Sequence, residues 1–345
     1  MINEMKAEKP SLLAKPDKNQ ASIRATAPAS VSVDLDNEWA YLKTQGIAEW
    51  SGFPSYLDKV VPRILSELKD ADLDITFFVV GKDAEQPENA NALRLIADAG
   101  HEIANHSFMH EPWLHLYSRA ELENDFEKSE AAILNATGCR PTGFRGPGFS
   151  SSPLVRQMLL ERGYRYDASL FPTTLGPVAR AYFRLNSKLP AEEKKKRSGL
   201  YGSLSDAFST LRPFEIEPGL MEVPVTTMPL VRFPVHLSYL LFLAQYSEAL
   251  ARLYWRTAVT LCRIRNLGPS LLLHPTDFLD GTDVPRMSFF PAMQIPAQRK
   301  IALVRFALGL LKQHWSTGTV AAHARAGAAQ IESPLILQPS SQTTA

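Results

Sequence analysis

Short apolar runs alternate with longer stretches of helical periodicity from about residue 31 to residue 170. Val31–Leu35 leads through alternating small and apolar residues into SVDLDNE, which predicts a first strand ending in acids. Val61–Lys69 (VPRILSELK) has apolar residues at helical spacing, with Pro62 in its first turn, where a missing N–H is tolerated. Ile75–Val80 (ITFFVV) is a continuous apolar run, the pattern of a parallel strand covered on both faces. Leu93–Ala99 reads as a short helix stopped by Gly100, and His101–Asn105 as a third strand. Arg119–Leu134 is an amphipathic helix closed by Thr137–Gly138. A strand end at Gly143–Arg145, a Gly/Pro turn, a helix over Pro153–Arg162 and a strand over Tyr164–Asp167 follow. This alternation predicts a parallel α/β architecture with its chemistry at the carboxyl ends of the strands.

From about Leu175 to Pro269 the rhythm breaks. Ala191–Arg197 (AEEKKKR) reads as a solvated charged run, and Phe214–Val225 as a bent or paired strand. His236–Leu267 predicts one long helical segment whose apolar part, LSYLLFLAQY, falls short of the roughly 20 residues that span a bilayer. Its default role is core cover. Contact with a membrane surface through residues 230–266 ranks second, and a dimer seam is a further alternative. Ser270–His274 (SLLLH) is a late buried strand ending in histidine, and Arg299–Gln313 a final helix. Residues 1–29 and 332–345 are expected to be disordered tails, which leaves a main domain over 30–315 that includes the 175–269 insertion.

Composition adds mostly exclusions. A 345-residue chain with 45% hydrophobic and 21% charged residues fits an ordinary globular protein. A net charge of +1 without a basic stripe argues against a nucleic-acid partner. Cys139 and Cys262 are expected to be reduced thiols. The N-terminal stretch lacks the apolar core of a signal peptide, so the expected location is cytoplasmic, with peripheral contact at the inner face of the membrane as an option.

The candidate chemistry starts at Gly100–His110 (GHEIANHSFMH). His106 and His110 lie four residues apart, which on one helical turn stacks two imidazoles about 5–6 Å apart at Cβ. Such a pair can share a divalent ion at roughly 2.0–2.1 Å per bond. Alone, the pair reads better as surface or capping residues. The carboxylates Asp34 and Asp36, the arginine Arg145 and a third histidine, His274, shift the balance because each stands at an expected strand end.

Five stretches, taken in order, resemble the motifs of the polysaccharide deacetylase family, the carbohydrate esterase family 4 with its nodulation-type homology domain. They are Ser32–Glu38 (SVDLDNE), His106–His110 (HSFMH), Arg145–Phe149 (RGPGF), Tyr166–Leu170 (YDASL) and Leu272–His274 (LLH). The resemblance implies a distorted (β/α) barrel, seven-stranded, with a largely helical insertion. It implies a hydrolase of carbon–nitrogen amide bonds that removes an N-acetyl or N-formyl group from an amino sugar or glycoconjugate, free or lipid-linked. By resemblance Asp34 is the base and Asp36, His106 and His110 hold one divalent metal ion, zinc first, with Co2+, Ni2+, Mn2+ or Fe2+ as alternatives. Arg145 would orient Asp34 and favour its ionised form. His274 would be the acid, its ring held by Asp167. Pro147, Gly148, Phe149 and Leu272 would line the substrate and oxyanion side, with the Gly148 N–H as an oxyanion donor.

Two departures stand out: Phe149 replaces the family's final motif glycine, and Leu170 stands where the family has tryptophan. His101 and His115 fall outside the spacing and read as structural, Ser107 as a loop brace, and Glu38 as a solvated or supporting acid. Three alternatives remain: a metal-independent amidohydrolase of the allantoinase type, a non-catalytic carbohydrate-binding relative, and a non-haem iron oxygenase. The last uses the same two-histidine, one-carboxylate face, but on a jelly roll rather than an α/β scaffold.

Overall fold

The computed structural model describes residues 27–176, 206–290 and 293–332. Of the expected tails over 1–29 and 332–345, residues 1–26 and 333–345 lie outside the described residues, as do the charged run Ala191–Arg197 and residues 177–205 of the insertion, while Pro28 and Ala29 belong to the first strand rather than to a tail.

Strand β1 (Pro28–Asp34) shows how the sheet works. Val31 and Val33 join the main apolar core, each fully buried and contributing about 1.5–3 kcal/mol. The intervening Ser30, Ser32 and Asp34 point to the other face, as period-two alternation requires, and are buried there as well. Ser32 and Asp34 bind Arg145, and Ser30 binds His323. β2 (Thr76–Val79) repeats the pattern, with Phe77 and Val79 in the main core and Phe78 inside the curl of the sheet.

Helix α1 (Glu38–Gln45) follows β1, and α2 (Leu57–Ala71) covers it. α2 buries Leu57, Val60, Val61, Ile64 and Leu68, one apolar stripe. It begins a turn before the expected Val61, because the Asn37 side chain accepts from the Tyr56 N–H and Ser55 Oγ from the Leu57 N–H. Pro62 therefore lies inside the helix, not in its first turn. After β2 come α3 (Gly81–Glu85), α4 (Ala90–Asp98), β3 (Glu102–Asn105) and α5 (Arg119–Thr137). A reciprocal Ser118/Glu121 capping box starts α5, and left-handed Gly138 ends it. β4 (Gly143–Phe144), α6 (Pro153–Glu161) and β5 (Tyr166–Asp167) complete the regular part.

The expected bent strand is a hairpin of β6 (Phe214–Glu217) and β7 (Leu220–Glu222). The expected single helix over 236–267 is two, α7 (Leu237–Ala244) and α8 (Glu248–Ile264). Ser247 caps the second through the Leu250 N–H, which ends one helix and starts the other. Both bury an apolar face, including Leu237, Leu240, Leu241, Ala251 and Trp255. β8 (Ser270–Leu273) and α9 (Ala297–His314) match their predicted positions. β9 (Ser316–Gly318) and α10 (Val320–Glu332) carry the fold past residue 315, so residue 332 belongs to a helix rather than to a tail.

The sheet runs β6-β7-β5-β4-β3-β2-β1-β8, parallel except for the hairpin, with β9 on β1. Among the described residues nine strands stand where seven were expected, the surplus being the antiparallel edge strand β6 and the three-residue β9. The two sides of the curl meet beyond β7, where Val225 N–H bonds Leu170 O and Thr226 N–H bonds Ser270 O. α10 docks against the start of the strands: Val320 N–H donates to Thr76 Oγ1 and Ala321 N–H to Glu102 Oε2. The carboxyl ends of the strands are left as the open mouth.

Candidate active site

Asp34 ends β1, and Asp36 follows at the mouth, its carbonyl accepting from Tyr56 OH at 2.5 Å. Asn37 caps α1 and donates to Asp83, which also takes the Trp39 indole N–H; burial pushes Asp83 up to about 7. Glu38 is not solvated. It is buried and paired with Arg286 at 2.7 Å.

The two histidines come from a loop rather than from a helical turn. β3 stops at Asn105, and Ser107 and His110 adopt left-handed backbone angles of +62° and +52°. Ser107 Oγ accepts from the His110 N–H, and the Asp125 carboxylate on α5 accepts from the Phe108 N–H. Burial pushes Asp125 up to about 7, against those backbone bonds. His106 Nδ1 lies 2.6 Å from the Arg145 carbonyl, which can only accept, so the proton sits on Nδ1 and Nε2 faces the mouth.

Three ligand atoms converge there. His110 Nε2 is 3.0 Å and His106 Nε2 is 3.5 Å from Asp36 Oδ1, and the three groups form a cluster within 4.8 Å. Asp36 Oδ1 is buried without a hydrogen-bond partner. Burial opposes its charge, but the two imidazoles overcome this and hold the carboxyl well below the usual carboxylate range. Burial likewise opposes a charge on His106, and Asp34 and Asp36 more than offset it. One carboxylate oxygen and two ring nitrogens aimed at one point fit a divalent cation with positions left open for water and substrate.

Arg145 is fully buried and donates from Nη1 to Asp34 Oδ1 at 2.6 Å and to Ser32 Oγ at 2.9 Å, and from Nε to Ala168 O at 2.9 Å. Its guanidinium lies over the Phe78 ring at 4.1 Å. The following turn needs its glycine: a Cβ on Gly146 would lie 1.9 Å from the Ser150 carbonyl. Pro147 is buried in that turn, and Gly148 (φ +59°) and Phe149 (φ +64°) are both left-handed. For phenylalanine this costs about 1–2 kcal/mol. Its ring stacks on Phe171 at 4.6 Å, so these two rings form an aromatic wall although Leu170 replaces the family's tryptophan.

The hydrogen bonds of the Asp167 side chain run to serines. Its carboxylate accepts from Ser169 Oγ at 2.5 Å, Ser169 N–H at 3.1 Å and Ser151 Oγ at 3.2 Å, and burial raises it despite them. The His274 ring is held instead by Ser238, Nδ1 to Oγ at 3.1 Å, and Ser238 donates to Asp277 Oδ1 at 3.0 Å. His101 and His115 bond Ile75 N–H and Ser150 Oγ, away from the cluster.

Asp34, Asp36, His106, His110, Gly148, Phe149, Leu272 and His274 line one cavity of 310 Å³. Tyr41, Phe171, His236, Ser238 and Phe290 line it too, and none was singled out from sequence. His236 Nδ1 accepts from the Tyr239 N–H, which leaves the proton on Nε2. Desolvation and His274 push its pKa down to about 3, so the ring is neutral.

Residues 51–166 match the family model described as polysaccharide deacetylase, a span that includes His106, His110 and Arg145 but not Asp34, Asp36 or His274. A Helicobacter pylori peptidoglycan deacetylase is 30% identical over 140 residues, covering 39% of this chain and 47% of the relative. A Bacillus cereus peptidoglycan-N-acetylglucosamine deacetylase is 35% identical over 86 residues, 25% of this chain and 30% of the relative. The chain thus matches less than half the length of these relatives. A crystal structure of a Mycobacterium smegmatis protein assigned to the polysaccharide deacetylases superposes with a TM-score of 0.55 at 20% identity, covering 97% of this chain and 99% of that one.

Proposed function

We propose that the chain, whose residues 51–166 match the polysaccharide deacetylase family model, is a divalent-metal-dependent hydrolase removing an N-acyl group from an amino sugar. The observation that carries this is the orphaned Asp36 Oδ1 facing two histidine Nε2 atoms, in the same cavity as Asp34 and His274. A divalent ion, zinc first, would polarise the acyl carbonyl and acidify a water molecule. Asp34, oriented by Arg145, accepts the proton of the attacking water. The Gly148 N–H in the cavity wall supplies a donor for the carbonyl oxygen as it gains charge. His274 Nε2 passes a proton to the departing nitrogen. Water and amide become carboxylate and amine, with no covalent intermediate.

For the substrate, we favour an amphiphilic, lipid-linked glycoside over a long free polymer. Supporting this, Phe149, Phe171, His236, Tyr239, Phe242 and Tyr246 follow one another at ring separations of 4.6–6.2 Å. The series leads from the cavity wall to the exposed Phe242 and Tyr246, and Leu230, Val231 and Leu250 of the same 230–266 segment are exposed as well. Among the described residues no helix is long and apolar enough to cross a membrane, so contact through 230–266 would be peripheral, at the cytoplasmic face in this reading.

The test is acetate or formate release from a panel of N-acyl sugars, free and lipid-linked, with Asp34→Asn as control and liposome flotation alongside. Release that D34N abolishes and chelation suppresses is expected. No release from any member, or release that survives chelation, would overturn the metal-hydrolase reading, and equal rates on free and lipid-linked sugars without flotation would overturn the amphiphile.

A further inference from the structure

We propose that Ser238, on the first turn of α7, positions the His274 ring, and that Asp277 supplies through it the carboxylate support expected of Asp167. A serine hydroxyl has one proton. Ser238 Oγ commits it to Asp277 Oδ1 at 3.0 Å, so at the 3.1 Å contact with His274 the hydroxyl accepts and Nδ1 donates. The chain of bonds fixes His274 in the Nδ1–H tautomer and leaves Nε2 directed away from Ser238 as the atom that can exchange a proton with substrate. Asp277 is itself fixed. Its Oδ2 accepts the His274 backbone N–H at 2.8 Å, and the buried Lys300 ammonium ties the carbonyls of Thr276 and Leu279 on either side of it at 2.9 and 2.6 Å. Burial raises the Asp277 carboxyl, opposed by its contacts with His274, Lys300 and Ser238.

Asp167 is engaged elsewhere, its Oδ1 accepting from the Ser169 hydroxyl and N–H and its Oδ2 from the Ser151 hydroxyl. The support therefore comes from the insertion. α7 is anchored by the buried Leu237, Leu240, Leu241 and Ala244, so the segment that covers the barrel also places a hydroxyl against the reacting histidine.

The inference rests on the hydrolase reading for its kinetic arm only. In full-length protein labelled with 15N-histidine, His274 is expected as the Nδ1–H tautomer, and Ser238→Ala to move it toward the Nε2–H form. S238A is expected to lower kcat roughly 10- to 100-fold, below the roughly 10²–10⁴ of losing the general acid itself, with KM changed less than about twofold. Ser238→Thr, which keeps the hydroxyl, is expected to restore both readouts. Wild-type tautomer and wild-type kcat in S238A would overturn the proposal. A tautomer shift in S238A together with no hydrolysis by wild-type protein would support the positioning role while overturning the hydrolase reading.

Discussion

Arg145→Met tests the buried pair at the heart of the site. The substitution keeps an apolar stem over Phe78 but removes the two Nη1 bonds to Asp34 and Ser32 and the Nε bond to Ala168 O. Asp34 is buried, so its carboxylate is left without its cation. Breaking one side of a buried ion pair costs about 3–5 kcal/mol. Against a total of about 5–15 kcal/mol, R145M stays folded at low denaturant but is clearly weakened. With a urea m of about 3 kcal/mol/M, the midpoint falls by about 1–1.7 M. Asp34→Asn also destabilises, because it strands the guanidinium. The double variant is expected to cost less than the sum of the singles by at least about 1.5 kcal/mol, since it removes both charges together. Chelator in every sample keeps metal binding out of the cycle. Additivity within about 0.5 kcal/mol would mean that the pair is not coupled, and would refute the account of how Asp34 is held.

Phe149→Gly relieves the left-handed strain of about 1–2 kcal/mol but loses the Phe171 stack of about 0.5–1.5 kcal/mol as well as apolar contact. Stability in urea is therefore expected to change by less than about 1 kcal/mol while KM for an apolar glycoside rises several-fold; a wild-type KM would remove Phe149 from the binding wall. Burial pushes His323 down to about 4, well below its ordinary 6.5, so between about pH 4 and 6.5 the unfolded chain binds a proton that the folded chain excludes. Stability from this group is present above pH 6.5 and lost as pH falls toward 4, by at most about 3 kcal/mol. Asp83 and Asp125, raised to about 7, slope the opposite way, so the readout is the difference between wild type and His323→Asn. That difference should shrink on acidification, and a pH-independent difference would contradict the assignment.

Much of the site was legible because its residues sit at strand ends, where an apolar run stops and a polar residue begins: Asp34 after Val33, Arg145 after Phe144 and His274 after Leu273. The same logic recovered the parallel core. It failed where contacts alone decide the structure. The spacing of His106 and His110 suits a helix, yet the backbone bonds of Gly81 and Lys82 to Ser107 and Phe108 hold a loop. Ser247 divides an apolar stretch that looks continuous in composition. α10 is rich in alanine and falls in no expected element, and only its final residue lies in the expected tail; its place is set where its first turn meets Thr76 and Glu102, more than 200 residues away. Ser238 lies 36 residues from His274 in a segment outside the resemblance, so nothing in the sequence linked the two. Asp167 was expected to hold His274; its hydrogen bonds run to Ser169 and Ser151, while the His274 Nδ1 contact is with Ser238.

The central claim is that Asp36, His106 and His110 form one cation site. It is tested most directly by calorimetric titration of Zn2+ into chelator-stripped protein, with Asp36→Asn, His106→Gln and His110→Gln alongside. About one ion per wild-type chain is expected, with each variant binding at least about 100-fold more weakly, because every substitution removes a direct ligand. Wild-type affinity in all three variants, or no binding by the wild-type chain, would contradict it.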